Sequence, residues 1–106
     1  MLIAWTTVSS RTEAGAIARA AIQQGRAVCV QIDGPVSSLY RWKGQVETAE
    51  EYRLTFKLLP EQSSDLEQLV HAMHPYDVPE WVVVPASHVS EKYLSWARTT
   101  PNSSSF

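Results

Sequence analysis

The chain has 106 residues, 44% of them hydrophobic and 19% charged, and a net charge of −2. That length fits one domain with a modest core, and a pI near 5.9 gives no broad basic face for nucleic acid, so no nucleic-acid partner is expected. No apolar run is long enough to span a membrane, the N-terminal MLIAWTTVSS lacks the pattern of a signal peptide, and Cys29 has no intrachain disulfide partner, which together lead us to expect a cytoplasmic protein without membrane contact.

In chain order, Leu2 to Val8 is a short apolar stretch that predicts a strand. Ser10 and Glu13 form a capping-box pattern. Ala14, Ile17, Ala18, Ala21 and Ile22 follow helical spacing up to Gly25, so a helix is expected over Arg11 to Gln24. Ala27 to Ile32 is a second strand, with Val28, Val30 and Ile32 on one side and Ala27, Cys29 and Gln31 on the other. Asp33-Gly34-Pro35 interrupts it, and Val36 to Trp42 resumes extended structure into a Lys43-Gly44 turn. The return arm runs from Gln45 to about Leu59, with Tyr52, Leu54, Phe56 and Leu58 on one face.

Two properties of this hairpin stand out. At about 3.3 Å per residue the return arm would be on the order of 50 Å long, whereas a chain of this size has a radius of gyration of about 13 Å. The hairpin must bend or project. Register is the second property. An uninterrupted ladder from a two-residue turn sets Val30 opposite Lys57, which puts the apolar sets of the two arms on different faces. One extra residue in the first arm repairs this. We therefore expect a bulge at Asp33-Gly34-Pro35, with Cys29 beside Lys57 on the face away from the helices.

Pro60 and Glu61 open a second helix, Glu61 to Met73, with Leu66, Leu69, Val70 and Met73 as its apolar stripe. His74 to Glu80 is a loop with two prolines, Trp81 to Val84 a strand ended by Pro85, and Ser90 a cap for a helix from Glu91 to Arg98. The expected domain is residues 1–98, and 99–106 has the composition of a disordered tail. The order β-α-β-β-α-β plus a terminal helix predicts an α+β, ferredoxin-like antiparallel sheet of order 4-1-3-2, with both main helices on one face. Its bare face and long edge call for a closed oligomer.

With these elements in place, the chain resembles the CutA family of divalent-cation tolerance proteins. The resemblance is carried by Cys29-Val30, Ser38-Leu39-Tyr40-Arg41-Trp42-Lys43-Gly44, Glu50 and Lys57, His74-Pro75-Tyr76-Asp77-Val78-Pro79-Glu80, and Tyr93-Leu94-Ser95-Trp96. Gln31 and Trp81 depart from the usual pattern. The resemblance implies a homotrimer of ferredoxin-like subunits, similar in plan to the PII signalling proteins, with long hairpins crossing onto neighbours. It also implies an association with copper and other divalent cations, and no catalytic reaction.

Candidate chemistry is sparse. Cys29 is a soft donor suited to copper, and Lys57 beside it would favour the thiolate. Packing at a subunit boundary is the plainer role. His74, together with Glu80, is a candidate to complete a metal set from the same or a neighbouring subunit. His71 and His74 lack a third ligand of recognisable spacing, and His74 also suits the end of a helix. Tyr40 and Trp42 share a face and suit anchors in a neighbouring subunit. Glu47, Glu50 and Glu51 run opposite Arg41 and Lys43, where cross-strand charge pairing is expected. The alternative function is a signalling trimer that binds a small anion or a protein in the intersubunit cleft, with Lys57, Arg41 and Glu50 at the ligand. No nucleophile elbow, phosphate loop or acid–base pair is apparent, so an enzyme is not expected.

Overall fold

The computed structural model describes residues 1–99. Strand β1 (Leu2–Val8) leads into helix α1 (Arg11–Gln23), followed by the long strands β2 (Cys29–Trp42) and β3 (Gln45–Leu58). A single 3-10 turn, Pro60–Gln62, precedes helix α2 (Ser63–Met73), then come β4 (Val82–Pro85) and α3 (Glu91–Thr99). The four strands form one antiparallel sheet in the order β2-β3-β1-β4, which is 4-1-3-2 read from the other edge.

Local chemistry explains the element ends. Ser10 caps α1, its hydroxyl accepting from the Glu13 amide at 3.1 Å. The Glu13 carboxylate in turn accepts from the Ser10 hydroxyl at 3.0 Å rather than from its amide. At the other end Gly25 takes φ 66°. The amides of Gly25 and Arg26 donate back to Ile22 and Ala21 at 3.1 and 2.9 Å, the paired bonds of a Schellman stop. Gln62, nearly buried, accepts from the Leu59 amide at 2.8 Å and donates to the Gly25 carbonyl at 3.0 Å. It thereby ties the 3-10 turn to the end of α1. The second helix is therefore shorter than the expected Glu61 to Met73, because Pro60 to Gln62 winds tighter.

Ala4, Val8, Leu54, Phe56 and Leu58 from the sheet pack against Ile17 and Ala21 of α1 and Leu66 and Val70 of α2. A second cluster of Val28, Leu59 and Ala97 fastens α3. Three expected boundaries need correction. The last strand is Val82–Pro85 rather than Trp81 to Val84: Pro85 pairs with Leu2 on an edge strand, where its missing N–H is tolerated. Trp81 instead turns inward against Phe56, ring centroids 5.7 Å apart. Thr99, assigned to the tail, closes α3, its hydroxyl donating to the Trp96 carbonyl at 3.0 Å. The rest of the expected tail, 100–106, lies outside the described residues.

The hairpin register shows the expected bulge. Cys29 opposes Lys57 and Asp33 opposes Arg53, but Val36 opposes Glu51, with the shift between Asp33 and Val36. A Cβ at Gly34 would sit 2.8 Å from the Tyr52 ring and 2.9 Å from the Glu51 carbonyl, and φ there is 149°. Lys43 and Gly44 both take positive φ, 51° and 79°, the signature of the turn that matches strand twist. The hairpin projects: the molecule measures 46 × 27 × 23 Å and its radius of gyration is 14.7 Å. β1 flanks β3 only from Tyr52 to Leu58. From Gln45 to Glu51 the sheet is two strands wide.

Candidate functional site

Helices α1 and α2 cover one face of the sheet. The other face presents Ile3, Trp5 and Thr7 from β1, Arg53, Thr55 and Lys57 from β3, Cys29 and Asp33 from β2, and Val82 and Val84 from β4, because paired residues share a face. Three polar groupings lie on or beside this framework.

The first is a cleft of about 430 Å³ on the open face, bounded by Trp5, Thr7, Val36, Arg53, Glu80 and Val82. Arg53 is held in it by Asp33, with Nε donating to Oδ1 at 3.2 Å and Nη2 to Oδ2 at 2.6 Å. Their cross-strand opposition makes this two-point fit possible. The Asp33 carboxylate raises the Arg53 pKa further, with a smaller push from Glu80.

The second grouping is Cys29, Lys57 and Tyr93. Strand pairing sets Cys29 beside Lys57, and the Lys57 ammonium lies 5.8 Å from the centre of the Tyr93 ring, within cation–π range. Burial raises the Tyr93 pKa above its ordinary 10.0, and the neighbouring Cys29 adds to the shift by charge and hydrogen bonding.

The third grouping sits where β1 ends. His74 Nε2 is 3.0 Å from Thr6 Oγ1 and 2.9 Å from the Thr7 carbonyl, and Nδ1 accepts from the Tyr76 amide at 3.2 Å. A ring that accepts at Nδ1 and donates from Nε2 is neutral. Burial lowers the His74 pKa below 6.5, opposed in part by the hydrogen bond to Thr7. The Tyr76 hydroxyl donates to Glu51 Oε2 at 2.8 Å. Its own pKa is pushed up to about 12, first by burial and then by that carboxylate.

A family model described as CutA1 divalent ion tolerance protein matches residues 2–100. The chain belongs to the CutA1 family. It is 38% identical over 92 residues to the divalent-cation tolerance protein CutA of Thermus thermophilus, covering 87% of this chain and 89% of that one. The solved Thermus thermophilus structure superposes with a TM-score of 0.89 at 36% identity, over 94% of this chain and 98% of that one. A structure described as the periplasmic divalent cation tolerance protein CutA from Archaeoglobus fulgidus superposes at 0.90 and 29% identity, over 96% and 100%. The human protein CutA is 31% identical over 94% of this chain, which spans only 56% of its length.

Set against the CutA1 expectation, the residues proposed for metal do not converge within one chain. Cys29 stands on the open face, in the row of Ile3 and Lys57. His74 bonds Thr6, a buried residue of the helix-covered face, and both its ring nitrogens are engaged. Glu80 lies by the cleft of Arg53. Among the described residues no three of His, Cys, Asp and Glu are grouped to hold a metal ion. Within this one chain, these side chains therefore do not fit a cation.

The residues proposed for a ligand cleft are spread along the hairpin as well. Lys57 opposes Cys29, Glu50 opposes Ser37, and Arg41 opposes Val46, so Lys57 and Arg41 are separated by about 36 Å of strand. The expected charge pairing of Glu47, Glu50 and Glu51 with Arg41 and Lys43 is also absent. Glu47 faces Tyr40, Glu50 faces Ser37, and Glu51 is buried under Tyr76. The ion pairs among the described residues are Arg53–Asp33 and His71–Glu67. Tyr40 and Trp42 are half-exposed near the tip with no core beneath them.

Sequence reasoning missed Asp33 with Arg53, Tyr76 with Glu51, and Tyr93. For the first pair a signal existed: the bulged register that sets Cys29 opposite Lys57 also sets Asp33 opposite Arg53. The contacts of Tyr76 and Tyr93 depend on where a loop and a terminal helix cross the sheet, which no periodicity encodes.

Proposed function

We propose that this chain is the subunit of a cytoplasmic, non-enzymatic homotrimer on the ferredoxin-like, PII-like plan. It binds copper or another divalent cation and serves tolerance to metal ions. Membership of the divalent ion tolerance family carries the reading. The hairpin supports the assembly. Seven residues of β3, Gln45 to Glu51, have only β2 beside them, and a bare two-stranded ribbon is marginal in water. It exposes Leu39, Tyr40, Trp42 and Val46, apolar surface that a neighbouring subunit would cover.

Because one chain does not group the candidate ligands, the cation site belongs to the assembly. Cys29 is the soft donor, joined by Glu80 or His74 of a neighbouring copy. His74 would have to surrender one of its present hydrogen bonds to take part. A binding role rather than catalysis follows from the same donors, which lack a paired acid and base. The alternative of a small anion held by Lys57, Arg41 and Glu50 has no support from their separation along the hairpin.

The assembled protein titrated with Cu(I) and Cu(II) tests the reading. Binding of one ion per subunit or per trimer that weakens at least about tenfold in Cys29→Ala, near 1.4 kcal/mol, is the expected result. Equal, weak binding by both proteins overturns the assignment of Cys29.

A further inference from the structure

We propose that the cleft on the open face binds a free α-amino acid with an apolar or aromatic side chain. Arg53 takes its carboxylate, Glu80 its ammonium group, and Trp5 and Val82 its side chain. The proposal stands apart from the cation reading and shares only Glu80 with it.

The strand register lays the site out. Arg53 opposes Asp33 on one side and Thr7 on the other, so these three form one row across β2, β3 and β1. Trp5 opposes Val82 on the far side of β1, and carrying that register on by two residues brings Glu80 level with Thr7. Arg53 and Glu80 are thus two strand spacings apart, roughly 10 Å between backbones, and both line the cleft. They form no ion pair with each other, yet Glu80 is near enough to raise the Arg53 pKa. Two charge-assisted hydrogen bonds of about 2.8 Å, with the short span of a zwitterion between them, fit that gap. Trp5 and Val82 lie one row along, where the side chain of a ligand seated over Thr7 would rest.

The unanswered groups select the ligand. Asp33 engages Nε and Nη2 of Arg53, which leaves Nη1 outside that pair. Thr7 and Ser38 bring hydroxyls to the same cleft. A carboxylate answers these donors, and an ammonium group answers Glu80, which is exposed and has no ion pair among the described residues. A plain amine leaves Nη1 without an acceptor, and a plain carboxylate has nothing to offer Glu80. A nucleotide or other polyphosphate is disfavoured, because the carboxylates of Asp33 and Glu80 outnumber the one cation, Arg53. The cleft volume of about 430 Å³ is at the small end for ligand sites. The Arg53 side chain keeps 46% of its surface in water, so binding is weak, with a Kd on the order of a millimolar.

NMR titration of the full chain, with a chelator present to exclude metal, tests the proposal. The indole N–H of Trp5 is followed against L-phenylalanine, 3-phenylpropionate, which lacks the ammonium group, and phenethylamine, which lacks the carboxylate. A saturable shift with L-phenylalanine is expected, and each one-charge analogue is expected to bind about fivefold more weakly. In Glu80→Gln, L-phenylalanine should fall to the affinity of 3-phenylpropionate while 3-phenylpropionate itself is not weakened. In Arg53→Gln it should fall to that of phenethylamine. Glu80 is exposed and unpaired, so its variant keeps the test decisive even if loss of the Arg53–Asp33 pair disturbs the fold. A Trp5 signal that does not move, equal binding of all three compounds, tighter binding of ATP than of L-phenylalanine, or a Glu80→Gln variant that weakens the amino acid and 3-phenylpropionate alike overturns the proposal. Because metal is excluded throughout, none of these results bears on the cation site.

Discussion

The same two strands live in two different environments on either side of the bulge. From Leu54 to Leu58, β3 alternates between buried and half-buried residues, as a strand covered on one face by helices should. From Gln45 to Glu50 the alternation disappears, and all but Ala49 are exposed. Composition explains only part of the change: Gln45, Glu47, Thr48 and Glu50 are polar, but Val46 and, on the paired strand, Leu39, Tyr40 and Trp42 are exposed as well. What differs is the absence of β1 and the helices beyond Tyr52. The base is folded by its own core, and the tip is a two-stranded ribbon without one. The sharpest way to break this comparison is a pair of truncations. Phe56→Ala removes a fully buried ring from the centre of the core and is expected to destabilise the fold by about 3–5 kcal/mol in urea denaturation. Trp42→Ala is expected to leave the stability of the single chain unchanged to within about 0.5 kcal/mol. Equal losses in the two variants would mean that tip and base are one cooperative core.

The bulge is the joint between the regions, and Gly34 is its least replaceable residue. A methyl there meets Tyr52 and the Glu51 backbone below 3.0 Å, on a backbone conformation that side chains rarely adopt. Gly34→Ala is expected to cost about 1–3 kcal/mol. It should also disturb the register on the tip side first, because β1 fixes the base. Amide exchange along β2 and β3 reads this directly. Faster exchange from Val36 to Trp42 with protection kept from Cys29 to Asp33 is the expected pattern. Uniform loss would place the joint elsewhere.

Much of the base could be read from residues alone, and the reasons are physical. Period-two alternation in Leu54, Phe56 and Leu58, helical spacing in α1, and the Ser10 and Gly25 stops are local signals with one structural solution each. Even the bulge followed from a conflict between turn and face. The polar groupings were less legible. His74 looked like a helix-end residue, and it is one, but its ring reaches across to Thr6 and Thr7, 68 and 67 residues earlier in the chain. Glu51 was read as one of an acidic run paired across the strands with Arg41 and Lys43, yet the Tyr76 loop buries it. Pro85 was read as a stop, whereas an edge strand can accommodate it. In each case the deciding partner is distant in sequence and arrives by the path of a loop, which composition and spacing do not record.

His74 marks where the base stops, and its titration sharpens the comparison with the smallest expected effect. The Tyr76 amide points at Nδ1, so protonation there replaces an attraction with a repulsion between two N–H groups. Burial lowers the folded pKa below 6.5, with His71 pressing the same way and Thr7, Glu13 and Glu51 opposing it. The unfolded chain then binds the proton more readily than the folded one, so this contribution to stability is complete above about pH 6.5 and is lost as pH falls through the folded value. Two-dimensional NMR of the imidazole should give a pKa under 6.5. Urea midpoints should fall between pH 7 and pH 5 by more in the wild type than in His74→Asn. The loss should appear first around Glu51 and Tyr76, at the last row before the ribbon begins. A pKa at or above 6.5, or an identical pH dependence in the variant, would remove His74 from that boundary and leave the end of β1 as the sole limit of the base.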